Sequence, residues 1–441
     1  MEDIPLNQIF INQQELSTFL KETNFIPNNL SNPTSSLSSS PSLSLSRFQS
    51  LIHQQCVSKL QSVPYLITAL KYLHKRLHTN TTNNNTDFRV SQLNENPTQE
   101  ILLSSPLDSI HNINTHEFNI FHLEKEVGSI NTLPVVSIYI FTAYGLYSLI
   151  PHQQFEYFVK EITNGYVHSN PYHNDIHAAD ITQTSMIYMN YTNLKSFLRL
   201  NDLDYISLFI SCIIHDYKHP GYNNMFLSNT NDKIALMYND ISVLENYHIS
   251  QAFELIHSNE MYNIFSMFSK EEYTTIRKRI IGLVLSTDMS YHGKHLSLLK
   301  DNIKKYEIVK GLNREKIINN ESEQKMFQLQ QDFLNLCIHA SDISNPTKPF
   351  DIYEIWADKV INEFWRQGDK ERELGLKISN GYDRNVTTKA MSQVGFIDFV
   401  VMPFFVQFVE VFGELEYLVK NIEYNVDKYR KIKSEEDKNK Q

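Results

Sequence analysis

An all-α fold, a compact multi-helix domain, is what the sequence predicts from about residue 108 onward. Apolar residues there recur at three-and-four spacing and do not alternate strictly, which is the periodicity of helices packed on a core. Glycine and proline fall mostly between these runs, as at Pro171 and Pro220-Gly221, where they punctuate helices. Long low-complexity tracts are confined to the region before residue 108.

In chain order the helical runs are Leu133–Leu149, Phe155–Ile162, His177–Tyr188, Leu203–His215, Val243–Ile256 and Phe327–Ala340. A last large apolar helix is expected to start near Thr388 and pass Phe396, with Pro403 kinking or dividing it. Val135–Ile150 contains hydroxyl side chains and is short against the roughly 20 apolar residues a bilayer needs, so it reads as a buried helix. Val394–Val411 carries Asp398, Pro403, Gln407 and Glu410, which disfavours a membrane span.

Three regions follow. Residues 1–107 are a variable front, with a serine-biased tract at Ser31–Ser46, a stretch compatible with one or two helices at Gln49–His78, and a polar tract at Thr79–Thr86. Residues 108–425 form the main domain, and residues 426–441 a charged tail expected to be solvated or frayed. The 441 residues are 41% hydrophobic and suffice for a large core without disulfides. Cys56, Cys212 and Cys337 lie far apart and form no CxxC pair, which suggests a reducing compartment. With no basic, apolar leader at the start, a cytoplasmic, cytosolic location is the expectation. A formal charge of −10 argues against broad nucleic-acid binding. Protein partners and oligomeric state are not written in these features.

Histidine spacing carries the chemistry. His173 and His177 stand at i,i+4 in Tyr172–Asp180, facing one cavity if that segment is helical. Alone, such a pair is equally a surface or core feature. His215-Asp216 ends a strongly apolar helical approach, with His219 beyond it; alone, this is also readable as a hydrogen-bonded helix end. Asp342 follows another apolar helix just before Asn345-Pro346, where a structural cap is the plain alternative. Together, buried histidines and carboxylates are costly unless something pairs them, and a shared cation supplies the reason to converge. His177, His215, Asp216 and Asp342 offer nitrogen and oxygen ligands suited to Zn2+. Asp216 is placed to bridge to a second, harder ion, Mg2+ or Mn2+.

At this point the chain resembles the class I 3′,5′-cyclic nucleotide phosphodiesterases over roughly residues 108 to 425. The segments carrying the likeness, in order, are Tyr172–Asp180, His215–Gly221, Ser242–His248, Thr287–Met289, His339–Pro346 and Ser392–Asp398. The resemblance implies His177, His215, Asp216 and Asp342 as ligands of the first metal. It implies His219, Glu245 and Thr287 around the water of the second, and His173 as the general acid. Tyr247 departs from the family, where another histidine is common, while His248 is kept.

In the later helices Trp356, Val360 and Phe364 recur every four positions, which by itself describes a core stripe. The resemblance makes Gln393 the purine-recognising amide, with Phe396 and Val360 as two sides of a clamp and Tyr353 and Asn345 beside the amide or the base. A glutamine can present either end of its amide, so Gln393 permits adenine or guanine, and Ala357 departs from the threonine of adenine-specific forms. The implied reaction is hydrolysis of the 3′ phosphoester of a purine 3′,5′-cyclic nucleotide, cAMP or cGMP, to the nucleoside 5′-monophosphate in signal transduction. The rival readings are a broader HD-type phosphohydrolase acting on a linear nucleotide and a cyclic-nucleotide sensor that keeps only the pocket.

Overall fold

The computed structural model describes residues 108–192, 194–311 and 323–439, and among them there is no β-strand. The serine- and asparagine-rich tracts, the helical stretch Gln49–His78 and Cys56 lie outside the described residues. Packing divides the chain into two units. The first, Met1–His111 with Ala143–Gly145, has few described residues: most of a 3-10 turn, Asp108–Asn112, and the turn after an early helix. The second, Asn112–Thr142 with Leu146–Gln441, contains everything that follows.

Its opening helices are α1 (Ile120–Val127), α2 (Ser129–Ala143) and α3 (His152–Gly165). The run expected through Leu149 stops earlier: α2 ends at Ala143, and a separate 3-10 turn covers Leu146–Ser148. Gly145 at φ 69°, a backbone setting that favours glycine, marks the break.

Next come α4 (Asp175–Tyr191), α5 (Leu194–Leu198) and α6 (Asp202–Ile214). Asn174 caps α4 by accepting from the backbone N–H of Ile176 and His177, and Asn201 with Asp204 forms a capping box on α6. Neither helix has a solvated face: Asp175–Met189 and Asp204–Ile214 are buried throughout. A helix without a polar side belongs inside a bundle. α6 packs on α4 and on α10 (Lys270–Leu285), which follows α7 (Asn224–Asn229), α8 (Lys233–Tyr238) and α9 (Val243–Ser258). The buried ion pair Arg279–Asp204, 2.8 Å, joins α10 to α6.

After α11 (His292–Gly311), α12 (Glu323–Asp342) packs on α4, with Ser185 and Ser341 hydroxyls 2.8 Å apart between them. The 3-10 turn Asn345–Thr347 is held from two sides. Lys348 Nζ donates to Asp180 at 2.6 Å, and Asn425 Nδ2 donates to the carbonyls of Pro346 and Lys348.

The remaining helices are α13 (Phe350–Glu373), α14 (Lys389–Phe396), α15 (Met402–Val411) and α16 (Tyr417–Asn439). α14 and α15 are separated by a π-helical turn, Ile397–Val401, in which Met402 N–H donates to Ile397 O. Pro403 is the reason. It has no N–H for the carbonyl four residues back, and its ring crowds that carbonyl, so the ladder widens before it. Lys389–Val411 as a whole is long and apolar enough to cross a membrane by length and composition. In the fold its Phe404, Phe405, Phe408 and Val411 enter the core, and Asp398 pairs with Arg430 at 2.8 Å. The charged tail continues α16 to Asn439; Val426 and Tyr429 are buried, so the helix runs straight through residue 425.

Candidate active site

α6 delivers His215 and Asp216 at its C-terminal end. Tyr166, just past α3, donates its hydroxyl to Ile213 O at 2.9 Å and so satisfies a terminal carbonyl of α6. Gly165 lets this approach happen, since a Cβ there would fall 2.3 Å from the Tyr217 ring. Lys218 then takes a left-handed backbone, φ 63°, turning the chain so that His219 comes back beside Asp216. His219 therefore lies on a loop beyond the helix.

His177 stands on the first turn of α4, but His173 does not share that helix. It precedes the Asn174 cap, and the two imidazoles meet edge to face, centroids 5.9 Å apart. The cavity expected from helical i,i+4 spacing thus forms by a turn that folds His173 back. Asp342, at the end of α12, completes the group.

His177 Nε2 lies 3.2 Å from Asp342 Oδ1 and 3.6 Å from Asp216 Oδ2. His215 Nε2 lies 3.1 Å from Asp216 Oδ2 and 3.7 Å from Asp342 Oδ1. His248 Nε2 approaches Asp216 Oδ1 at 3.8 Å. Two rings are oriented from behind: His215 Nδ1 donates to Cys212 O at 2.9 Å and His248 Nδ1 to Tyr217 O at 2.6 Å. Each therefore turns an unprotonated Nε2 inward, and both Nε2 atoms are buried without a hydrogen bond. Orphaned imidazole nitrogens facing carboxylates fit divalent cations, the backbone carbonyls supplying the usual outer support.

Two cation-capable groups share Asp216: His177 with His215, and His219 with His248, each with ligand atoms within 4.8 Å of one another. Burial pushes the Asp216 carboxyl up, but His215 and His173 outweigh it and hold it well below the usual carboxylate range. Asp342 is likewise lowered against burial by its bonds to His177 and His215.

Sequence reasoning missed Glu363. Its carboxylate on α13 is hydrogen-bonded to His173 Nδ1 and also accepts the backbone N–H of Tyr172 and His173, at 2.9 and 3.0 Å. Burial lowers the His173 imidazole, yet Glu363 and Asp216 prevail and raise it to about 9. Glu363 is itself raised by burial, and His173 brings it down to about 2. The available signal was a carboxylate seven residues from buried Trp356 and four before buried Gln367, on the inward face of α13. His219 stacks on His173 with centroids 4.1 Å apart and planes at 17°. Burial and the neighbouring His173 keep it well below its ordinary value. One ring of the stack is charged and the other is neutral.

Glu245, on the first turn of α9, is held by Asn224 Nδ2 at 3.0 Å, and burial followed by Asp288 raises it to about 7. Thr287 is buried after α10 with its hydroxyl committed to Val284 O at 2.8 Å. Among the nucleotide-site residues, Tyr353 donates to Gln393 Oε1 at 2.7 Å. Asn345 Oδ1 accepts from Tyr172 at 2.6 Å, while its Nδ2 is buried and unpaired. Val360 and Phe396 are half-buried, one on α13 and one ending α14. Trp356 is core, packed against Phe121, Tyr172 and His177, and Phe364 stacks on Tyr382 at 4.4 Å.

A family model described as 3′5′-cyclic nucleotide phosphodiesterase matches residues 172–422. A 3′,5′-cyclic-AMP phosphodiesterase, isoform F, of Drosophila melanogaster is 38% identical over 285 residues, 64% of this chain and 41% of the relative. A dual specificity calcium/calmodulin-dependent 3′,5′-cyclic nucleotide phosphodiesterase 1C of Mus musculus is 36% identical over 302 residues, 68% of this chain and 40% of the relative. The chain thus spans less than half the length of these curated relatives. The crystal structure of the phosphodiesterase domain of the Salpingoeca rosetta RhoPDE fusion protein is similar with a TM-score of 0.65 and 25% identity. That match covers 76% of this chain and 100% of that one.

Proposed function

The chain belongs to the 3′,5′-cyclic nucleotide phosphodiesterase family, and we propose from this that it hydrolyses the 3′ phosphoester of a purine 3′,5′-cyclic nucleotide, cAMP or cGMP, to the nucleoside 5′-monophosphate. The observation that carries the reading is the meeting of His177, His215, Asp216 and Asp342 beside the His173–Glu363 pair.

His177, His215, Asp216 and Asp342 would hold Zn2+, and Asp216 would share a second ion, Mg2+ or Mn2+, with His219, Glu245 and Thr287 ordering its water. When bound, such ions supply Lewis-acid charge for the phosphate oxygens and lower the proton affinity of water. The chain's own residues do the rest. Water oxygen bonds to phosphorus as the P–O3′ bond breaks, and the leaving oxygen takes a proton. His173 is suited to give it: Nδ1–H is committed to Glu363, Nε2 is the free edge, and the ring is charged at neutral pH. Neutral His219 stacked against it does not compete for the proton.

For the base, Gln393 presents one amide end while Tyr353 occupies the other, and Val360 and Phe396 clamp the purine faces. The unpaired Asn345 Nδ2 is a donor waiting at the pocket. The relatives' names divide on base preference, one naming cyclic AMP and one dual specificity, so the proposal covers both purines. The domain would be residues 108–425, with a variable front and a charged tail, acting on a soluble nucleotide in the cytoplasm. Buried free thiols at Cys212 and Cys337 support a reducing setting. The test is separate catalytic efficiencies for cAMP and cGMP with purified full-length protein supplied with Zn2+ and Mg2+ or Mn2+. Failure to cleave either one in metal-loaded protein refutes the reading.

A further inference from the structure

Asn170 ties together the two loops that carry the stacked histidines. Its Nδ2 donates to His173 O at 3.0 Å and to His219 O at 2.8 Å, so both amide hydrogens are used, one on each loop. Its backbone carbonyl accepts from Asn174 Nδ2 at 2.9 Å, linking it to the cap that starts α4. The other face is closed as well: a Cβ on Gly221 would fall 2.7 Å from Asn170 Oδ1, and Gly221 N–H itself donates to His219 Nδ1 at 2.9 Å. Asn170 is 8% exposed, too buried for water to replace a lost donor freely.

We propose that Asn170 is a positioning residue that holds the parallel stack of His173 and His219 and thereby aims the His173 proton. The stack has no covalent or helical connection between its rings: His173 precedes α4 and His219 follows a left-handed turn. Glu363 fixes His173 from one side only. A single amide bonded to both carbonyls sets their separation, because its two N–H bonds diverge at a fixed angle. No other side chain type of this size offers two donors from one nitrogen at neutral charge. The inference rests on the assignment of His173 as proton donor, made above.

The experiment uses full-length protein and the variants Asn170→Ala, Asn170→Ser, His173→Ala and the double variant His173→Ala with Asn170→Ala. Asn170→Ser keeps one donor and is the fallback should Asn170→Ala fold poorly. Both Asn170 variants are expected to lower kcat, on the order of 100-fold for Asn170→Ala, with KM and bound metal per chain near wild type. In the His173→Ala background, Asn170→Ala is expected to cost nothing more, since its effect passes through the missing ring. In metal-free protein the ring-current shift of the His219 ring protons should diminish in Asn170→Ala, a readout independent of turnover. Equal losses in both backgrounds, unchanged kcat, or an unchanged His219 shift would overturn the proposal. Wild-type turnover by His173→Ala would instead overturn the proton-donor assignment, and the positioning role with it.

Discussion

His173 Nδ1 and the Glu363 carboxylate are hydrogen-bonded across 190 residues of sequence, with the second carboxylate oxygen bonded to the backbone on which His173 stands. One acidic side chain thus orients the ring, anchors its loop and keeps its proton on.

Glu363→Gln removes the charge and keeps the shape. Without the carboxylate, burial dominates and the His173 pKa drops from about 9. The alkaline limb of kcat against pH should move toward neutrality, and a pH–rate profile from pH 6 to 10 reads it. The stability effect has two signs. Raised His173 contributes fully below 6.5 and loses that contribution as pH rises through about 9. Depressed Glu363 contributes above 4.5 and loses it as pH falls toward about 2. The stabilisation that the variant lacks is therefore largest between those two ordinary values.

Asp216→Ala removes the carboxylate shared by both cation-capable groups. Metal affinity should fall by more than the roughly 10- to 100-fold that outer-sphere partners are worth, and turnover should nearly vanish. Metal analysis of the purified variant alongside a turnover assay checks both.

Tyr353→Phe takes away the hydroxyl that pins Gln393 Oε1. With the amide free to turn over, the ratio of cAMP to cGMP efficiencies should move toward one. A neutral hydrogen bond contributes about 0.5–1.5 kcal/mol, hence a change of roughly 2- to 12-fold. Gln393→Ala should erode the ratio further and raise KM for both nucleotides. An unaltered ratio in both variants would remove Gln393 from base selection.

His339 is fully buried, with His292 Nδ1 3.0 Å away and the His295 ring stacked near it. Burial, then His295, lowers it to about 3. The unfolded chain takes up a proton near 6.5 that the folded chain refuses, so stability declines as pH falls from 6.5 toward 3. The slope from this group approaches ~1.4 kcal/mol per pH unit. His339→Gln should flatten that decline, measured as urea midpoints across the range.

The helices around the site were legible because their burial is complete: an apolar run such as Tyr205–Ile214 has one economical environment. The pairing of His215 with Asp216 was legible because a polar end on such a run needs a partner. Glu363 was not, since a carboxylate on a helix looks solvated until its partner 190 residues away is known. Asn170 was hidden for a related reason: asparagine before proline reads as turn chemistry, and its donors reach a distant loop. The i,i+4 spacing of His173 and His177 pointed to one cavity by the wrong route, because Asn174 starts the helix between them.

The widened turn before Pro403 uncouples two halves of one long rod. One surplus residue turns the rod's leading half by ~100° against its trailing half, so Gln393 keeps its direction whatever Phe404 and Phe408 require. Evolution can then retune nucleotide choice at the leading end without disturbing the hydrophobic packing that anchors the trailing one.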